Sequence, residues 1–180
     1  MKKRLFYAFV FLSCIIVIVF TPSCAKKLDV KGMLSYQSVS RQDISLLLGD
    51  HTYPISLTLS DTSEDNVRDG LALITDGELK DVKFEMSQGN LKMLIGETEY
   101  MLSQGDCPSL YMLFGAFAFD EDDFVGATRE NGSNVMKARF KNMEEFTLTL
   151  DAESFEIKSI DANCGDSPFV INFLTEIKEY

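Results

Sequence analysis

The sequence contains no tryptophan and only one histidine, and both shortages narrow the chemistry that the chain can perform. A Ser-His-Asp or Cys-His catalytic arrangement would depend on His51 alone, and no G-x-S-x-G motif is present to hold a nucleophile. One histidine also excludes a zinc site of the H-E-x-x-H type. Because His51 directly follows Gly49 and Asp50, we interpret it as a solvent-exposed residue of a hairpin turn.

Motifs for bound ions and phosphates are missing as well. The acidic stretch 61–66 begins like a calcium loop, but the positions that require Gly and Glu are occupied by Asn66 and Ala72. We therefore predict a polar loop there, and a solvated acidic surface at 120–123. No glycine-rich phosphate loop is present, and nothing singles out a carboxylate pair for glycoside hydrolysis. These absences predict no catalytic residues, no metal, no cofactor and no enzyme activity.

Acidic residues are also absent from the start of the chain, which differs from the rest. Three basic residues at 2–4 precede sixteen uncharged, mostly apolar residues at 5–20 and a stretch of small residues and proline at 21–25. This is the layout of a secretory signal. A buried core helix fits less well, because the stretch is apolar on all sides. We predict that residues 1–23 are a signal peptide or anchor, and that the protein is exported.

Three fates of this segment remain open, and they differ in what happens around Cys24. Ser23 and Cys24 resemble the end of a bacterial lipoprotein signal, which implies that Cys24 is lipidated and becomes the new N-terminus. Alternatively, cleavage after Ala25 would release a soluble protein, or the segment would stay as an uncleaved anchor, although it is slightly shorter than a usual span of about 17 to 25 residues. Each fate places the body of the protein on the outer side of the membrane, and lipidation of Cys24 predicts a lipid-anchored protein of the cell membrane or envelope that faces outside the cytoplasm.

The body of the chain is strongly acidic. Removing residues 1–23 leaves 157 residues, takes away three of the 17 basic residues and none of the 28 acidic ones, and so leaves a charge of −14. Such a field repels phosphates and anionic headgroups, so we expect no nucleic-acid partner. The length suits one domain, which we place at 32–180 after a polar tether at 24–31.

Two cysteines remain in the predicted domain, Cys107 and Cys164, each in a turn-like sequence. Outside the cytoplasm they could pair, closing a loop of 58 residues and stabilising the fold by about 4 kcal/mol. The alternative is two free, partly buried thiols.

Apolar and polar residues alternate through most of the domain. The pattern is regular at 44–48 with 53–59, at 82–86, 91–95 and 98–103, at 136–140 and 146–150, and again at 169–177. It predicts antiparallel strands joined by hairpins, with one face buried. The uniformly apolar stretch 108–119 is different: its length and Pro108 favour a buried helix, with Asp106 or Cys107 as the cap, over a central strand.

Fourteen phenylalanines and eight methionines supply soft apolar side chains for this domain. They would fill an ordinary core or line an adaptable hydrophobic cavity. For the second case, the candidate lining residues are Phe84, Met86, Met93, Tyr100, Phe114, Phe117, Phe146, Leu148 and Phe155.

These elements together resemble the exported half-barrel lipoproteins of the lipoprotein-carrier superfamily, the LolA/LolB-like fold with its mycobacterial lipid-binding relatives. The likeness lies in the lipoprotein-type start, the successive hairpins from 73 to 103, the apolar insert 110–119 and the closing strands at 146–157. It implies a mainly β (α+β) domain: a curved antiparallel sheet of about eight to ten strands around one or two helices.

The resemblance implies an apolar hollow for acyl chains. We therefore expect a non-enzymatic envelope protein, held to the membrane by its N-terminal lipid or anchor, that binds a lipid or another apolar small molecule in a sheet-lined cavity. The alternative is a protein-interaction module that uses an acidic face or a strand edge.

Overall fold

A computed structural model describes residues 28–64, 66–130, 132–165 and 167–174. These residues form eleven strands, two short α-helices and two 3-10 turns. The helices are α1 (Val30–Met33) and α2 (Pro108–Gly115), and the 3-10 turns are Ser35–Ser38 and Glu121–Asp123. The strands are β1 (Arg41–Leu48), β2 (His51–Glu64), β3 (Val67–Ile74), β4 (Lys83–Ser87), β5 (Asn90–Ile95), β6 (Thr98–Leu102), β7 (Phe124–Arg129), β8 (Val135–Lys141), β9 (Glu145–Asp151), β10 (Ile157–Cys164) and β11 (Ser167–Phe173).

All eleven strands belong to one curved, unclosed antiparallel sheet in the order β6-β5-β4-β3-β2-β1-β11-β10-β9-β8-β7. Two meanders, β1 to β6 and β7 to β11, meet where β1 pairs with β11. In the described part of the chain, β6 and β7 are therefore the two edges. The predicted fold class, a mainly β half-barrel with one or two helices, is confirmed.

The alternation in the sequence explains which face of each strand is buried. In β8, Met136, Ala138 and Phe140 are buried while the residues between them are exposed or partly exposed. β9 shows the same period with Phe146 and Leu148. Two-residue connections join several neighbouring strands, and Gly96 supports one of them with a φ of 59°, a conformation that glycine adopts without strain.

Two predictions about loops are wrong. β2 continues to Glu64, and its last residues pair with the start of β3, as in Ser63 opposite Arg68, so 61–64 is strand and not loop. Cross-strand pairing outweighs the low strand propensity of this polar stretch. His51 is the first residue of β2, opposite Leu48, although it is exposed as predicted.

The apolar stretch after Cys107 begins as a helix, as the sequence predicted, and not as a strand. Cys107 is the N-cap of α2 and Pro108 occupies the first turn, where its missing N–H costs nothing. The helix ends at Gly115, four residues before the predicted stretch does. It packs on β3, and residues 111–115 are all buried. A Cβ at Gly115 would lie 2.4 Å from the Met143 Cε atom and 3.3 Å from the Asn66 carbonyl oxygen, so a larger residue there would displace the Met143 methyl group.

No helix among the described residues has the length and apolar character needed to cross a membrane. The predicted signal or anchor at 1–23, including its junction with Cys24, lies outside the described residues. Of the predicted tether at 24–31, only 28–31 are described, and α1 begins within them at Val30.

Candidate ligand-binding groove

The nine predicted lining residues do not surround one common opening. Five are fully enclosed and one nearly so: Met86, Phe114, Phe117, Phe146 and Leu148, with Phe84 next. Met93 and Phe155 are partly buried, and Tyr100 is 46% exposed. The structure therefore divides them between a filled core and the rims of the sheet.

The enclosed residues at one end of the sheet pack against each other. Phe119 lies beyond α2, and its ring is 5.3 Å from that of Phe140 and 5.1 Å from that of Phe146. Leu148 is fully buried between Ala138 and Ile160 of the neighbouring strands. We call Phe119, Phe140 and Phe146 the closed aromatic cluster.

A second group lies in one row across β4, β5 and β6. Phe84 is opposite Met93, and Met93 is opposite Tyr100. Exposure increases along this row, from the buried Phe84 to the half-exposed Tyr100 at the edge strand. α2 covers part of the end of β6, where the Tyr111 hydroxyl donates a 3.4 Å hydrogen bond to the Leu102 carbonyl.

An apolar groove opens at the other end of the sheet, where β1 and β10 begin and β11 ends. Its volume is about 330 Å³. The residues that shape it include Val39, Gln42, Phe155, Ile157, Phe173 and Leu174. Val39 is 44% exposed and Leu174 52% exposed, so this rim presents apolar surface directly to solvent.

Tyr36 and Phe173 line the floor of this groove, and the buried Phe117 ring packs beneath them. Tyr36 is 5.6 Å from Phe117 and 5.8 Å from Phe173, and the two phenylalanine rings are 6.0 Å apart. The Tyr36 hydroxyl donates a 2.6 Å hydrogen bond to the Ala116 carbonyl. Burial raises the pKa of Tyr36 far above its usual value, so the hydroxyl is neutral. We call Tyr36, Phe117 and Phe173 the open aromatic cluster.

Phe155 borders the groove in an unusual backbone conformation. Its φ is 58°, in the left-handed region that costs a bulky residue about 1 to 3 kcal/mol. The Asp151 carboxylate holds the turn by accepting 2.9 Å hydrogen bonds from the Ser154 and Glu153 amides, and these bonds lower its pKa. A Cβ at Gly32 would lie 3.1 Å from the Phe155 ring, so α1 packs closely on it.

A more polar groove continues beside the first. It has a volume of about 480 Å³ and shares Gln42, Phe173 and Leu174 with it, while Arg41 and Asp43 supply charge. The two grooves together offer an apolar surface with a polar end.

Other openings in the described part of the chain have less apolar linings. The opening beside His51, of about 540 Å³, is lined also by Asp76 and Glu78. Within the described residues, no group of three or more His, Cys, Asp or Glu side chains is placed to hold a metal ion.

Cys107 and Cys164 are both free and partly buried in the structure. Burial raises the pKa of each thiol, and the neighbouring Asp106 and Glu144 carboxylates respectively raise it further. Both side chains are therefore protonated thiols packed against the core.

Most residues of the groove were not predicted from the sequence. Only Phe155 and, below the groove, Phe117 were among the predicted lining residues. Ile157 and Phe173 carried a usable signal, because both take part in strand alternation. Val39 carried none, since single apolar residues outside regular strands are common on protein surfaces, and Leu174 fell on the polar face of the stretch 169–177.

No protein-family model matches the chain, and no curated protein matches it in sequence. Solved structures do resemble it. MucB is 14% identical with a TM-score of 0.46 over 84% of this chain, which spans 58% of that protein. A LolA superfamily protein from Nitrosomonas europaea is 10% identical with a TM-score of 0.43, over 82% of this chain and 90% of that one.

The lipoprotein LppX from Mycobacterium tuberculosis is 9% identical with a TM-score of 0.37, over 82% of this chain and 95% of that one. The likeness to these three proteins is one of fold, and it is loose. A loose LolA-like resemblance is what the elements in the sequence predicted.

Proposed function

We propose that the protein is a non-enzymatic envelope protein that binds a lipid or another apolar ligand in the groove above the open aromatic cluster. The observation that carries this proposal is the apolar rim itself, where Val39 and Leu174 remain about half exposed beside partly buried Phe155 and Phe173. The volume of about 330 Å³ lies at the lower end of the range for small-molecule sites, about 300 to 1,000 Å³. Covering this surface with a ligand would remove apolar area from water.

The neighbouring polar groove indicates the chemistry of the ligand. An acyl chain would lie along Phe155, Phe173 and Leu174, and a polar headgroup would reach Gln42 and Arg41. The Arg41 guanidinium is suited to a carboxylate or phosphate, with which it forms charge-assisted hydrogen bonds. Asp43 beside it disfavours a highly charged anion.

The proposed cellular place follows from the start of the chain. Lipidation of Cys24 after export would anchor the protein to a membrane outside the cytoplasm. Ser35, which borders the groove, follows Cys24 by 11 residues, so the groove would lie within about 40 Å of the anchor. A ligand could then pass between the membrane surface and the groove without crossing bulk solvent.

The test uses the full chain in its own membrane fraction and a photoactivatable long-chain fatty acid as probe. Leu174→Glu places a charge on the groove rim, and Val125→Glu places one on the equally exposed edge strand β7. We expect half-maximal labelling to require at least about tenfold more probe for Leu174→Glu, because a charge buried under an acyl chain is unfavourable. The Val125→Glu control should label as strongly as the unchanged chain. In both proteins, the probe should crosslink to a peptide that contains groove residues.

Two results would overturn the proposal. One is no saturable labelling of the unchanged chain. The other is equal labelling of the Leu174→Glu and Val125→Glu variants.

A further inference from the structure

The two edges of the sheet differ in how they are built. β7 pairs irregularly with β8, with a register shift between Phe124 and Gly126, and it ends at Arg129. β6 pairs with β5 in five consecutive pairs without interruption. Bulges and positive charges are two means by which edge strands avoid pairing with other chains. β7 carries both, whereas β6 has no bulge and no positive charge, and its one charged residue is Glu99.

Exposed apolar side chains concentrate at the β6 edge. Eight large hydrophobic side chains are exposed among the described residues, and three of them lie on β6 or just before it. These are Ile95, Tyr100 and Met101, of which Met101 is 63% exposed. The edge therefore offers side-chain contacts as well as backbone groups.

The β5–β6 turn determines which backbone groups of β6 face outward. Only Gly96 and Glu97 separate Ile95 from Thr98, and the pair that flanks a two-residue turn exchanges hydrogen bonds. Bonded and non-bonded pairs alternate in an antiparallel ladder, so Glu99 and Met101 turn their N–H and C=O groups away from β5. No strand of the described chain pairs with this side of β6.

Local charge does not oppose contact between two such edges. The whole chain carries a net charge of −11, but residues 83–102 contain two lysines and three glutamates, a net charge of −1. One of these charges is compensated locally, since the Lys92 ammonium lies 3.8 Å from the Glu99 carboxylate. The repulsion expected between two acidic proteins is therefore weak at this edge.

We propose that β6 is a self-association edge, where two copies of the chain pair antiparallel about a twofold axis through Tyr100. In this register Glu99 of each protomer exchanges hydrogen bonds with Met101 of its partner, and the two Tyr100 side chains face each other. If the twofold axis passed through Glu99 instead, the two Glu99 residues would lie opposite each other. If it passed through Met101, Glu99 would pair with Ser103, whose amide already donates a 3.3 Å hydrogen bond to the Asp106 carboxylate.

In this register, a cysteine at position 100 would report specifically on pairing between the two β6 strands. Side chains directly opposite in a non-bonded pair have Cβ atoms about 4.5 to 5.5 Å apart, close to the spacing that a disulfide requires. The short edge predicts a weak dimer, and a shared membrane would favour it by raising the local concentration.

The experiment introduces Tyr100→Cys into the full chain in its membrane and follows covalent dimers on non-reducing gels during mild oxidation. Val125→Cys on β7, 49% exposed against 46% for Tyr100, is the matched control, and the unchanged chain reports any crosslinking through its own cysteines. We expect Tyr100→Cys to crosslink at least about tenfold faster than Val125→Cys.

A second change tests the strand pairing itself. Met101→Pro, added to Tyr100→Cys, removes an outward N–H that β5 does not use, so the fold should be retained while crosslinking falls to the control rate. Equal rates for Tyr100→Cys and Val125→Cys would overturn the proposal, and so would a rate that Met101→Pro leaves unchanged. Neither result bears on the groove, because fatty-acid labelling is measured separately.

Discussion

The closed and open aromatic clusters are built from nearly the same parts and differ in how completely they are covered. In each, one ring lies 5 to 6 Å from the two others. Phe119, Phe140 and Phe146 are covered on every side, whereas Phe173 borders a groove. The difference lies in the chain segments around the rings. Aromatic content alone therefore does not distinguish a closed core from the floor of an open groove.

The largest effect that would separate the two clusters is expected from Phe146→Ala. The ring is fully buried and contacts Phe119, so its removal leaves a cavity and should lower the free energy of unfolding by about 3 to 5 kcal/mol. Urea denaturation measures the change. Fatty-acid labelling of the molecules that remain folded should be unchanged. A loss below about 1 kcal/mol would show that the closed cluster is not a packed core.

A smaller effect is expected from Tyr36→Phe in the open cluster. The ring packing stays, but the Ala116 carbonyl loses its 2.6 Å hydrogen bond, which should cost about 1 to 2 kcal/mol of unfolding free energy. Because the hydroxyl is directed to this carbonyl, labelling of the groove should change less than about twofold. A large loss of labelling with unchanged stability would instead place the hydroxyl in contact with the ligand.

The smallest effect concerns pH and the turn that holds Phe155. The pKa of Asp151 is lowered from 3.8 in the fold, chiefly by the Ser154 amide and then by the Glu153 amide. The carboxylate therefore stabilises the turn above pH 3.8, and this contribution is lost as the pH falls through the lowered pKa. We expect labelling to weaken a few-fold as the pH falls from neutral to well below 3.8.

The Asp151→Asn variant separates the titration of Asp151 from acid-induced unfolding of the whole domain. The variant should label more weakly at neutral pH and respond less to acid than the unchanged chain does. Glu153→Gln in the same turn is the control, since the Glu153 carboxylate makes none of these hydrogen bonds. An identical acid response in the Asp151→Asn variant would contradict the assignment.

Much of the fold could be predicted because most strands keep a strict alternation. β8 and β9 are clear from sequence, as is the helix that begins at Pro108. β7 was not recognised, because Gly126 and Ala127 interrupt its apolar pattern. The end of β2 was misjudged, since only its partner β3 makes those polar residues extended. Strand pairing is a non-local property that short-range patterns do not contain.

By itself, the sequence determined the acidic charge, the apolar N-terminal segment, the alternation that makes one sheet face apolar, and the shortage of residues for catalysis. Tertiary structure alone decided where apolar surface stays open. Val39, Phe155 and Leu174 are far apart along the chain and meet because β1, β10 and β11 are neighbours in the sheet. Burial depends on which segments cover a side chain, and that is settled by strand order and not by the identity of the side chain.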